Sequence, residues 1–425
     1  MKVLINAFAF SPYKGSEHAV GWNIAVEMAK LHEVTVIFGD VWGNCKTQKD
    51  MERYSGSVSD VFSIVGLKAV YVRPGVVTAI LTKLHQLPGC WMLYYWAYNL
   101  WQRKAYRIAR KLHAVDRFDV VHHLNMIGYR EPGYMWKLGI PFVWGPVGGA
   151  PNEPFAYRSL FSWHGLIRVF ARTVCNEIQK RFNRRAKQAA RRAARVWAVT
   201  DADYRMIHDM WGVESCQRMI EAGADGELHG EIHVWNGDSP LRIVWSGIHT
   251  SRKALPILLY ALARLEPALR SRLTVEVLGE GPETEGWKRL ALKLNVDRCL
   301  SWRGRVPRSQ ALDIMRGSHL LACPSVKEAS SIVVIEAVSL GLPVICHDAC
   351  GMGIVIDENC GLKVPLCSPE TSIEGFAVAI KQVMNDPRKV EVFSRGALER
   401  AKELTWEAKA REISGAYEQI VKNGK

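Results

Sequence analysis

Two glutamates stand eight positions apart in the stretch KEASSIVVIEAVSLGLPVI, with Glu328 before an apolar segment and Glu336 inside it. Between them, Ser330 and Ser331 are residue types that commonly precede the first turn of a helix. The free backbone N–H groups of such a turn bind phosphate, and a carboxylate accepts hydrogen bonds from sugar hydroxyls. The pattern therefore predicts a ligand with phosphate and sugar parts, with Glu336 on a ribose and Glu328 on a second hydroxylated ring.

Glutamates are common, so a loop charge and an exposed helix residue would explain an isolated pair with this spacing. Glu336 is, however, flanked by Ile335 and Ala337 in an otherwise apolar helix. A carboxylate in that setting needs a partner. We therefore favour a binding role for the pair.

Two basic residues, Arg252 and Lys253, precede a second apolar helix in the stretch WSGIHTSRKALPIL. Cations are unfavourable near the N-terminus of a helix, because the helix dipole is positive there. The pair is either an ordinary basic helix start or part of an anion site. An anionic ligand would offset the electrostatic cost, and we favour that interpretation.

The first part of the chain alternates between strand and helix patterns. A continuous apolar run at residues 3–10 predicts a buried parallel strand, and a helical pattern separates it from a second strand at 33–38. Strand, helix and strand within so short a stretch form a βαβ unit. Further strands are predicted at 119–124, 141–145 and 195–200.

A second alternating series begins near residue 241, and the loop-like composition of residues 215–240 marks a boundary before it. We therefore predict an α/β protein with two doubly wound domains that face each other across a cleft. In open α/β sheets, ligands bind beyond the carboxyl ends of the strands. Glu328 and Lys253 both follow predicted strands, so we expect them in this cleft.

The composition of the 425 residues, 48% hydrophobic and 23% charged, is typical of a folded globular protein and argues against disorder. The charge balance is unusual, because 56 Lys and Arg against 42 Asp and Glu give a net charge of +14. This excess predicts binding to nucleic acid, to an anionic membrane surface or to acidic small molecules, unless it is only a solvated basic surface.

The ten cysteines include no CxxC pair and none of the paired short spacings of a zinc site. We therefore expect reduced thiols, no metal and a cytoplasmic protein. The N-terminus predicts a strand and not a signal peptide. Because no segment reaches the roughly 18 apolar residues that span a bilayer, we expect a protein that is soluble or bound to a membrane surface.

Four stretches of the second half together resemble a known family: VLGEGPE at 277–283, WRGRVP at 302–307, the glutamate stretch at 324–345 and CGLKVP at 360–365. Their order and spacing over roughly 180 residues resemble the carboxyl-terminal half of the retaining GT-B glycosyltransferases, the large nucleotide-sugar family of the group 1 or family 4 type.

The resemblance implies the GT-B fold, with two Rossmann-like domains facing across a cleft. The first, at 1–215, would bind the acceptor, and the second, at 216–403, would bind the nucleotide-sugar donor. The stretch LTWEAKAREISGAYEQIV resembles the family's closing helix, so residues 404–421 would pack back on the first domain.

The resemblance also implies roles for single residues. Glu328 matches the glutamate that contacts the transferred sugar, Glu336 the one that holds the ribose hydroxyls, and Lys253 the lysine on the diphosphate. Ile248 stands where the family has an arginine, and Arg252 would supply the missing charge. The further donor-binding positions implied in this way are Gly15, Gly281, Arg303, Val306, Ser330, Ser331 and Ile332.

The stretch FDVVHHLN in the first half resembles the strand that ends in the family's active-site histidine. Adjacent strand residues point to opposite faces of a sheet, so only one of His122 and His123 can face the ligand. The resemblance favours His123 as a catalytic residue and leaves His122 in the core.

Aromatic and basic residues are concentrated in two stretches of the first half. Residues 172–195 contain nine basic residues and one acidic residue. Helical spacing in the other stretch puts five aromatic residues on one face, namely Trp91, Tyr94, Tyr95, Tyr98 and Trp101. This combination is typical of an interfacial membrane contact, although a core-packed helix beside a solvated one has the same composition. With the net charge of +14, we predict docking to an anionic membrane surface.

The residues and the resemblance together predict a retaining glycosyltransferase that needs no metal or cofactor. It would move a hexose from a UDP- or GDP-sugar to a lipid-linked or cell-surface glycan acceptor, as in exopolysaccharide, O-antigen or lipopolysaccharide biosynthesis. Cationic side chains and a helix N-terminus would stabilise the leaving diphosphate. The enzyme would lie at the inner face of the plasma membrane.

Two other functions fit part of the pattern. A sugar-nucleotide epimerase shares the GT-B architecture, and it would release free sugar without an acceptor. A basic nucleic-acid-binding protein would need its cations aligned with a groove or a stacking platform. No such module is recognisable in the sequence, so nucleic acid is not an expected partner.

Overall fold

The chain folds into two compact units. The structure, a computed structural model, describes residues 1–12, 17–39, 64–87, 90, 92–160, 163–224 and 228–423. Unit 1 comprises Met1–Ala150, Gln179–Glu221 and Trp406–Lys425, and unit 2 comprises Pro151–Ile178 and Ala222–Thr405. Each unit is built around its own parallel sheet.

The sheet of unit 1 has seven strands in the order β3-β2-β1-β4-β5-β6-β7, all paired in parallel. Its strands are β1 (Lys2–Ala7), β2 (Glu33–Phe38), β3 (Leu67–Tyr71), β4 (Val120–Asn125), β5 (Phe142–Val147), β6 (Arg195–Ala198) and β7 (Cys216–Arg218). The five strands predicted from apolar runs are confirmed. The two strands that were not predicted, β3 and β7, lie at the sheet edges, where a strand needs no continuous apolar run.

Helices connect these strands, as expected for parallel neighbours. From the N-terminus to β7 the chain forms α1 (Glu17–Ala29), α2 (Val76–Leu84), α3 (Leu93–Asp116), α4 (Trp163–Phe182), α5 (Arg184–Arg192) and α6 (Asp201–Arg205). Shorter helical turns lie at Met135–Lys137, Phe155–Leu160 and Met206–Met210.

The sheet of unit 2 has six parallel strands in the order β10-β9-β8-β11-β12-β13. These are β8 (Leu241–Ser246), β9 (Leu273–Leu278), β10 (Leu300–Gly304), β11 (Leu320–Cys323), β12 (Val344–His347) and β13 (Gly361–Val364). The predicted alternation of strands and helices after residue 241 is confirmed, and each unit is a Rossmann-like α/β domain.

The second part of the chain contributes nine helices to the described structure. They are α7 (Leu255–Ala263), α8 (Pro267–Arg270), α9 (Thr284–Lys293), α10 (Arg308–Arg316), α11 (Ile332–Ser339), α12 (Cys350–Val355), α13 (Pro369–Asn385), α14 (Arg388–Glu403) and α15 (Trp406–Asn423). Single turns of 3-10 helix lie at Ser251–Lys253 and Asp297–Cys299.

The segment Pro151–Ile178 packs with unit 2, outside the range 216–403 expected for the second domain. Tyr157 anchors it, because its ring is fully buried in the core of unit 2. Its hydroxyl lies 2.7 Å from Oγ of Ser372 and donates to the carbonyl of Ser368 at 3.1 Å. A buried tyrosine needs such a partner for its hydroxyl, so the anchor is specific to unit 2.

The C-terminal helix α15 belongs to unit 1, where it packs on α1. Its Tyr417 is fully buried, and the hydroxyl lies 2.5 Å from Nδ1 of His122 on β4. Lys409, also on α15, donates from Nζ to the carbonyl of Ile220. The helix is therefore part of the core of unit 1.

The aromatic face predicted on α3 is largely internal. Tyr98 and Trp101 are each 1% exposed, and Nε1 of Trp101 donates to the carbonyl of Val72 at 2.8 Å. Tyr94 and Tyr95 are half-buried, while Trp91 lies outside the described residues. The prediction that this face meets a membrane is wrong for Tyr98 and Trp101, because helical spacing alone does not distinguish a core-facing face from a membrane-facing one.

The nine cysteines in the described part of the chain are all free thiols. Cys323, Cys346 and Cys360 are buried in unit 2, where burial raises the pKa of each thiol. Within the described ranges, no helix has both the length and the apolar character needed to cross a membrane.

Candidate functional site

The strand order of unit 2 reverses between β8 and β11, which are neighbours in the sheet. Such a reversal opens a crevice at the carboxyl ends of the two strands, and ligands of open α/β sheets bind there. The loop after β8 carries Arg252 and Lys253, and the loop after β11 carries Glu328. The fold therefore brings together three side chains that the sequence placed 75 residues apart.

Glu328 forms ion pairs with both cations of the neighbouring loop. Its Oε1 lies 2.6 Å from Nζ of Lys253 and 3.2 Å from Nη1 of Arg252. The side chains of Glu328 and Lys253 are only 9% and 11% exposed, whereas that of Arg252 is 40% exposed. Charges this far removed from water are stable only when paired, so the loops after β8 and β11 are tied together electrostatically.

Glycines allow the loops to approach closely enough for this contact. A Cβ on Gly247 would lie 3.2 Å from Cε of Lys253, so the lysine stem runs directly over the backbone. A Cβ on Gly281 would lie 2.5 Å from the carbonyl oxygen of His249, a distance that no side chain tolerates. Gly281, predicted to bind the donor, therefore has a packing role in shaping the loop after β8.

The start of α11 lies beside Glu328 in the same loop. Ser331 occupies the N-cap position, as predicted, but it has a left-handed backbone with φ of 56° and makes no capping hydrogen bond from its side chain. Ser330 and Ser331 are both buried, while Ile332 is 44% exposed. The first N–H groups of a helix lack intrahelical partners, so this end of α11 can accept an anion.

Glu336 lies one turn further along α11 and is paired, as its apolar neighbours suggested. Its Oε1 lies 2.6 Å from Nε of Arg308, the first residue of α10. The Glu336 side chain is 15% exposed and that of Arg308 is 57% exposed. The carboxylate is thus held in place near the surface of unit 2, where a ligand hydroxyl can reach it.

A second ion pair beside Glu328 was not foreseen. Nζ of Lys327 lies 3.1 Å from Oε1 of Glu153, and Arg172 lies 3.7 Å from the same oxygen. Glu153 is buried and Lys327 is largely so, with 7% and 13% of their side chains exposed. The carbonyl of Lys327 in turn accepts from Nη1 of Arg252 at 3.3 Å. Glu153 therefore fixes the backbone that carries Glu328.

His249 is a further residue of the loop after β8 that the sequence did not single out. It is 1% exposed and packs among the rings of Trp245, Trp287 and Trp302, with centroid distances between 5.0 and 5.9 Å. Its Nδ1 lies 2.8 Å from Oγ1 of Thr284. Burial lowers the pKa of His249, so the ring is neutral. It packs under the loop after β8 against the hydrophobic core of unit 2.

The other predicted donor positions lie around this loop with different exposures. Arg303 is 52% exposed and makes a two-point ion pair with Glu276, at 2.6 and 3.0 Å. Val306 is half-buried. Ile248, which stands where the family has an arginine, is 61% exposed. Gly15 lies outside the described residues.

Unit 1 has the equivalent strand reversal between β1 and β4. His123, near the end of β4, is fully buried, and its Nδ1 lies 2.8 Å from Nδ2 of Asn6 on β1. Within the described part of the chain, its Nε2 has no hydrogen-bond partner. Burial lowers the pKa of His123 to about 3, so the ring is neutral at physiological pH.

His122 points to the other face of the sheet, and its assignment to the core is confirmed. Besides Tyr417, it contacts the carbonyl of Gly145, which lies 2.6 Å from its Nε2. Burial lowers its pKa to about 4. His123 is the residue that lies at the strand reversal, although its ring does not reach the surface of unit 1 in this structure.

Glu17, the first residue of α1, is a buried carboxyl group at the same edge. Its Oε1 accepts from the backbone N–H of Ile127 at 3.4 Å, and its carbonyl accepts from Asn125 at 3.0 Å. Burial raises its pKa to about 7, and the nearby Glu221 adds to the shift. No pattern in the sequence indicates this, because Glu17 and His18 after Gly15 resemble an ordinary helix start.

Similarity to a known protein family lies in the second unit. Residues 233–400 match the family described as Glycosyl transferases group 1. A D-inositol 3-phosphate glycosyltransferase of Kribbella flavida is 25% identical over 311 residues, which are 68% of this chain and 72% of that protein.

Two solved structures extend the likeness to nearly the whole chain. The lipopolysaccharide outer core galactosyltransferase WaaB has a TM-score of 0.64 at 14% identity, with 98% of this chain and 99% of that chain covered. Anabaena HepE in complex with UDP has a TM-score of 0.60 at 15% identity, with 99% and 100% covered. With its two Rossmann-like domains the chain has the GT-B fold, and its second unit matches the glycosyl transferases group 1 family.

Proposed function

We propose that the protein transfers a hexose from a UDP- or GDP-sugar to a hydroxyl group of a lipid-linked or cell-surface glycan precursor, with retention of the anomeric configuration and without a metal. The observation that supports this most strongly is the ion-pair cluster of Glu328 with Lys253 and Arg252, which lies beside the start of α11. It combines an anion site for a diphosphate with a carboxylate for a sugar hydroxyl.

In the proposed reaction, the bond between C1 of the sugar and the diphosphate oxygen breaks while the acceptor oxygen bonds to C1 on the same face. The acceptor proton passes to the leaving phosphate oxygen. Lys253, Arg252 and the N-terminal N–H groups of α11 stabilise the charge that develops on the diphosphate. Glu328 orients the transferred sugar, Glu336 binds the ribose, and His123 orients the reacting sugar as a neutral ring.

The use of a nucleotide sugar is supported by HepE, a protein of the same fold whose structure contains UDP. The proposed acceptor is supported by WaaB, which acts on the lipopolysaccharide outer core. We extend both properties to this chain because its second unit matches the glycosyl transferases group 1 family.

The positive charge of unit 1 supports a location at an anionic membrane surface. On α5, Arg184, Arg191 and Arg192 are exposed. Arg192 stacks over the ring of Trp136 at 4.9 Å, and Arg185 pairs with Glu131. Cations near an anionic leaflet contribute about 1 kcal/mol each, and this attraction would hold the enzyme at the inner face of the plasma membrane.

A second candidate acceptor is a soluble phosphorylated polyol. The name of the Kribbella relative, a D-inositol 3-phosphate glycosyltransferase, favours it. A basic first unit would suit a phosphate-bearing acceptor as well as a membrane surface.

The test is a panel of UDP- and GDP-sugars, first by thermal unfolding and then by turnover. A donor at 100 times its dissociation constant adds about 2.7 kcal/mol of stability, so the true donor stands out. NMR of the product made with a lipid-linked acceptor or with inositol phosphate should show a retained anomeric configuration. Release of an epimerised sugar without any acceptor would instead identify an epimerase.

A further inference from the structure

Helix α2 turns most of its apolar residues outwards, and Leu81 is the one that packs against the core of unit 1. The helix buries Thr78 and Thr82, which are 4% and 3% exposed. Its outer side carries four exposed apolar residues, which we call the apolar face of α2. They are Val76, Val77, Ile80 and Leu84, with exposed fractions of 78%, 60%, 51% and 42%. Surface helices normally turn their apolar residues towards the core. The arrangement therefore favours an apolar environment outside the protein.

Thr82 can be buried on the inner side of α2 because its hydroxyl has a hydrogen-bond partner within the helix. The hydroxyl of Thr82 donates to the carbonyl of Thr78 at 2.7 Å, one helical turn earlier. The small side chains let α2 pack closely along α3, and these two helices form one of the larger helix contacts of unit 1. Because Thr78 and Thr82 occupy the side of α2 that packs on α3, the apolar face lies on the opposite side.

Further exposed apolar residues follow α2 along the chain. Leu87 is 54% exposed, and Met92 and Trp96 at the start of α3 are 55% and 64% exposed. Single exposed apolar residues are normal, but several of them on two helices that pack together favour a site of interaction with a protein or a membrane. Trp96 adds a residue type that favours the boundary between headgroups and acyl chains.

The charge around this surface identifies the partner. Between Val72 and Val115 the sequence contains no Asp or Glu. Arg73 precedes α2 and Lys83 lies in its last turn, and five further cations lie on α3 between residues 103 and 111; all of them are exposed. A helix with an apolar face and exposed cations beside it is suited to bind an anionic bilayer in the plane of the interface.

We propose that the apolar face of α2 inserts into the headgroup–acyl boundary of an anionic lipid leaflet, while Arg73, Lys83 and the cations of α3 contact the headgroups. This inference rests on the proposed transfer to a lipid-linked acceptor and names the surface through which the enzyme meets the membrane. It replaces the aromatic face of α3, since Tyr98 and Trp101 are internal.

The test measures co-sedimentation of the full chain with vesicles of phosphatidylcholine and of an equimolar mixture of phosphatidylcholine and phosphatidylglycerol. The variant is Val77→Ser, Ile80→Ser and Leu84→Ser combined. The matched control is Val378→Ser with Val392→Ser, two valines of unit 2 that are 51% and 61% exposed. All five positions are on the surface, so the variants should fold.

We expect the wild type and the control to bind the anionic vesicles and the triple variant to bind at least roughly tenfold more weakly. High salt should weaken wild-type binding without abolishing it, because the apolar contribution is not screened. Donor hydrolysis in solution should be the same in all three proteins.

Two results would overturn the inference: equal vesicle binding by the triple variant and the wild type, or no wild-type binding to anionic vesicles. A wild-type dimer that dissociates in the triple variant, without vesicle binding, would make the apolar face an interface between copies of the chain. Vesicle binding without any turnover of nucleotide sugars would refute the proposed function and leave the membrane surface in place.

Discussion

Nζ of Lys253 and Oε1 of Glu328 lie 2.6 Å apart at the strand reversal of unit 2, with both side chains almost fully removed from water. In the proposed reaction, a carboxylate in this position would have two effects on an incoming nucleotide sugar. It would hold the ammonium group in place for the diphosphate, and its second oxygen would accept from a sugar hydroxyl. A substitution at Glu328 separates these effects.

Replacing Glu328 by Gln should reduce sugar transfer without reducing the affinity for the free nucleoside diphosphate. A hydrogen bond to a charged group is worth about 1.5–3 kcal/mol, so the rate should fall roughly tenfold to a hundredfold or more. The freed Lys253 should bind the diphosphate at least as well as before. Turnover assays and calorimetry with UDP and GDP measure the two quantities, and a parallel loss of both would refute this division of roles.

Replacing Glu336 by Ala should weaken nucleotide binding by one to two orders of magnitude, because the ribose loses a charged hydrogen-bond acceptor worth about 1.5–3 kcal/mol. Calorimetry is the measurement. The control is Glu374→Ala, which also breaks an ion pair with an arginine, Arg264, on the surface of unit 2. Unchanged affinity in Glu336→Ala would remove this residue from the donor site.

Replacing Glu153 by Gln should destabilise unit 2 and raise the KM for the donor, because Lys327 then keeps a buried charge without its carboxylate partner. Breaking a buried pair costs up to about 3–5 kcal/mol. Adding Lys327→Met to this variant should recover much of the stability. Denaturant unfolding of the two single variants and the double variant tests the coupling. Additive losses would mean that the two residues act independently.

The free energy of unfolding should depend on pH through Glu17. Burial raises its pKa from the ordinary value of 4.5 to about 7. The folded state therefore binds a proton that the unfolded state has released, and this stabilisation is present below pH 4.5 and is lost as the pH rises through 7. Asp203, whose pKa burial raises to about 6, contributes with the same sign.

The variant Glu17→Gln isolates this contribution. It should match the wild type near pH 4 and become more stable than the wild type by roughly 3 kcal/mol at pH 8. Chemical unfolding at several pH values measures the difference, and the buried histidines cancel in the comparison. A stability difference that does not change with pH would show that folding leaves the pKa of Glu17 unshifted.

Turnover should survive exhaustive chelation of divalent cations. The proposed site already supplies Lys253, Arg252 and the start of α11 to the diphosphate. The assay compares initial rates with and without a chelator at saturating donor. Loss of activity that magnesium or manganese restores would show that these groups do not stabilise the leaving diphosphate on their own.

The sequence allowed most of the fold and half of the candidate site to be predicted. Central parallel strands such as β8 and β11 are covered on both faces, so they appear as continuous apolar runs. Ligand-binding loops follow their carboxyl ends by topology, which is how Lys253 and Glu328 could be paired from 75 residues apart.

Other features depended on tertiary contacts that carry no local pattern. Glu153 meets Lys327 only because Tyr157 buries its segment in unit 2. The aromatic residues of α3 and the aliphatic residues of α2 have similar helical spacing, yet Tyr98 is internal and Val76 is exposed. Spacing identifies a helical face, and the neighbouring elements decide what that face contacts.

The contact of Tyr417 with His122 has a consequence for protein synthesis. The core of unit 1 includes a helix made almost three hundred residues after β4, and all of Ala222–Thr405 is synthesised between them. On the ribosome, unit 2 can therefore complete its sheet while His122 still lacks its hydroxyl partner. Because domains generally fold as units during translation, the unit that is begun first is the last to be finished, and chaperones would meet it with the groove for α15 still open.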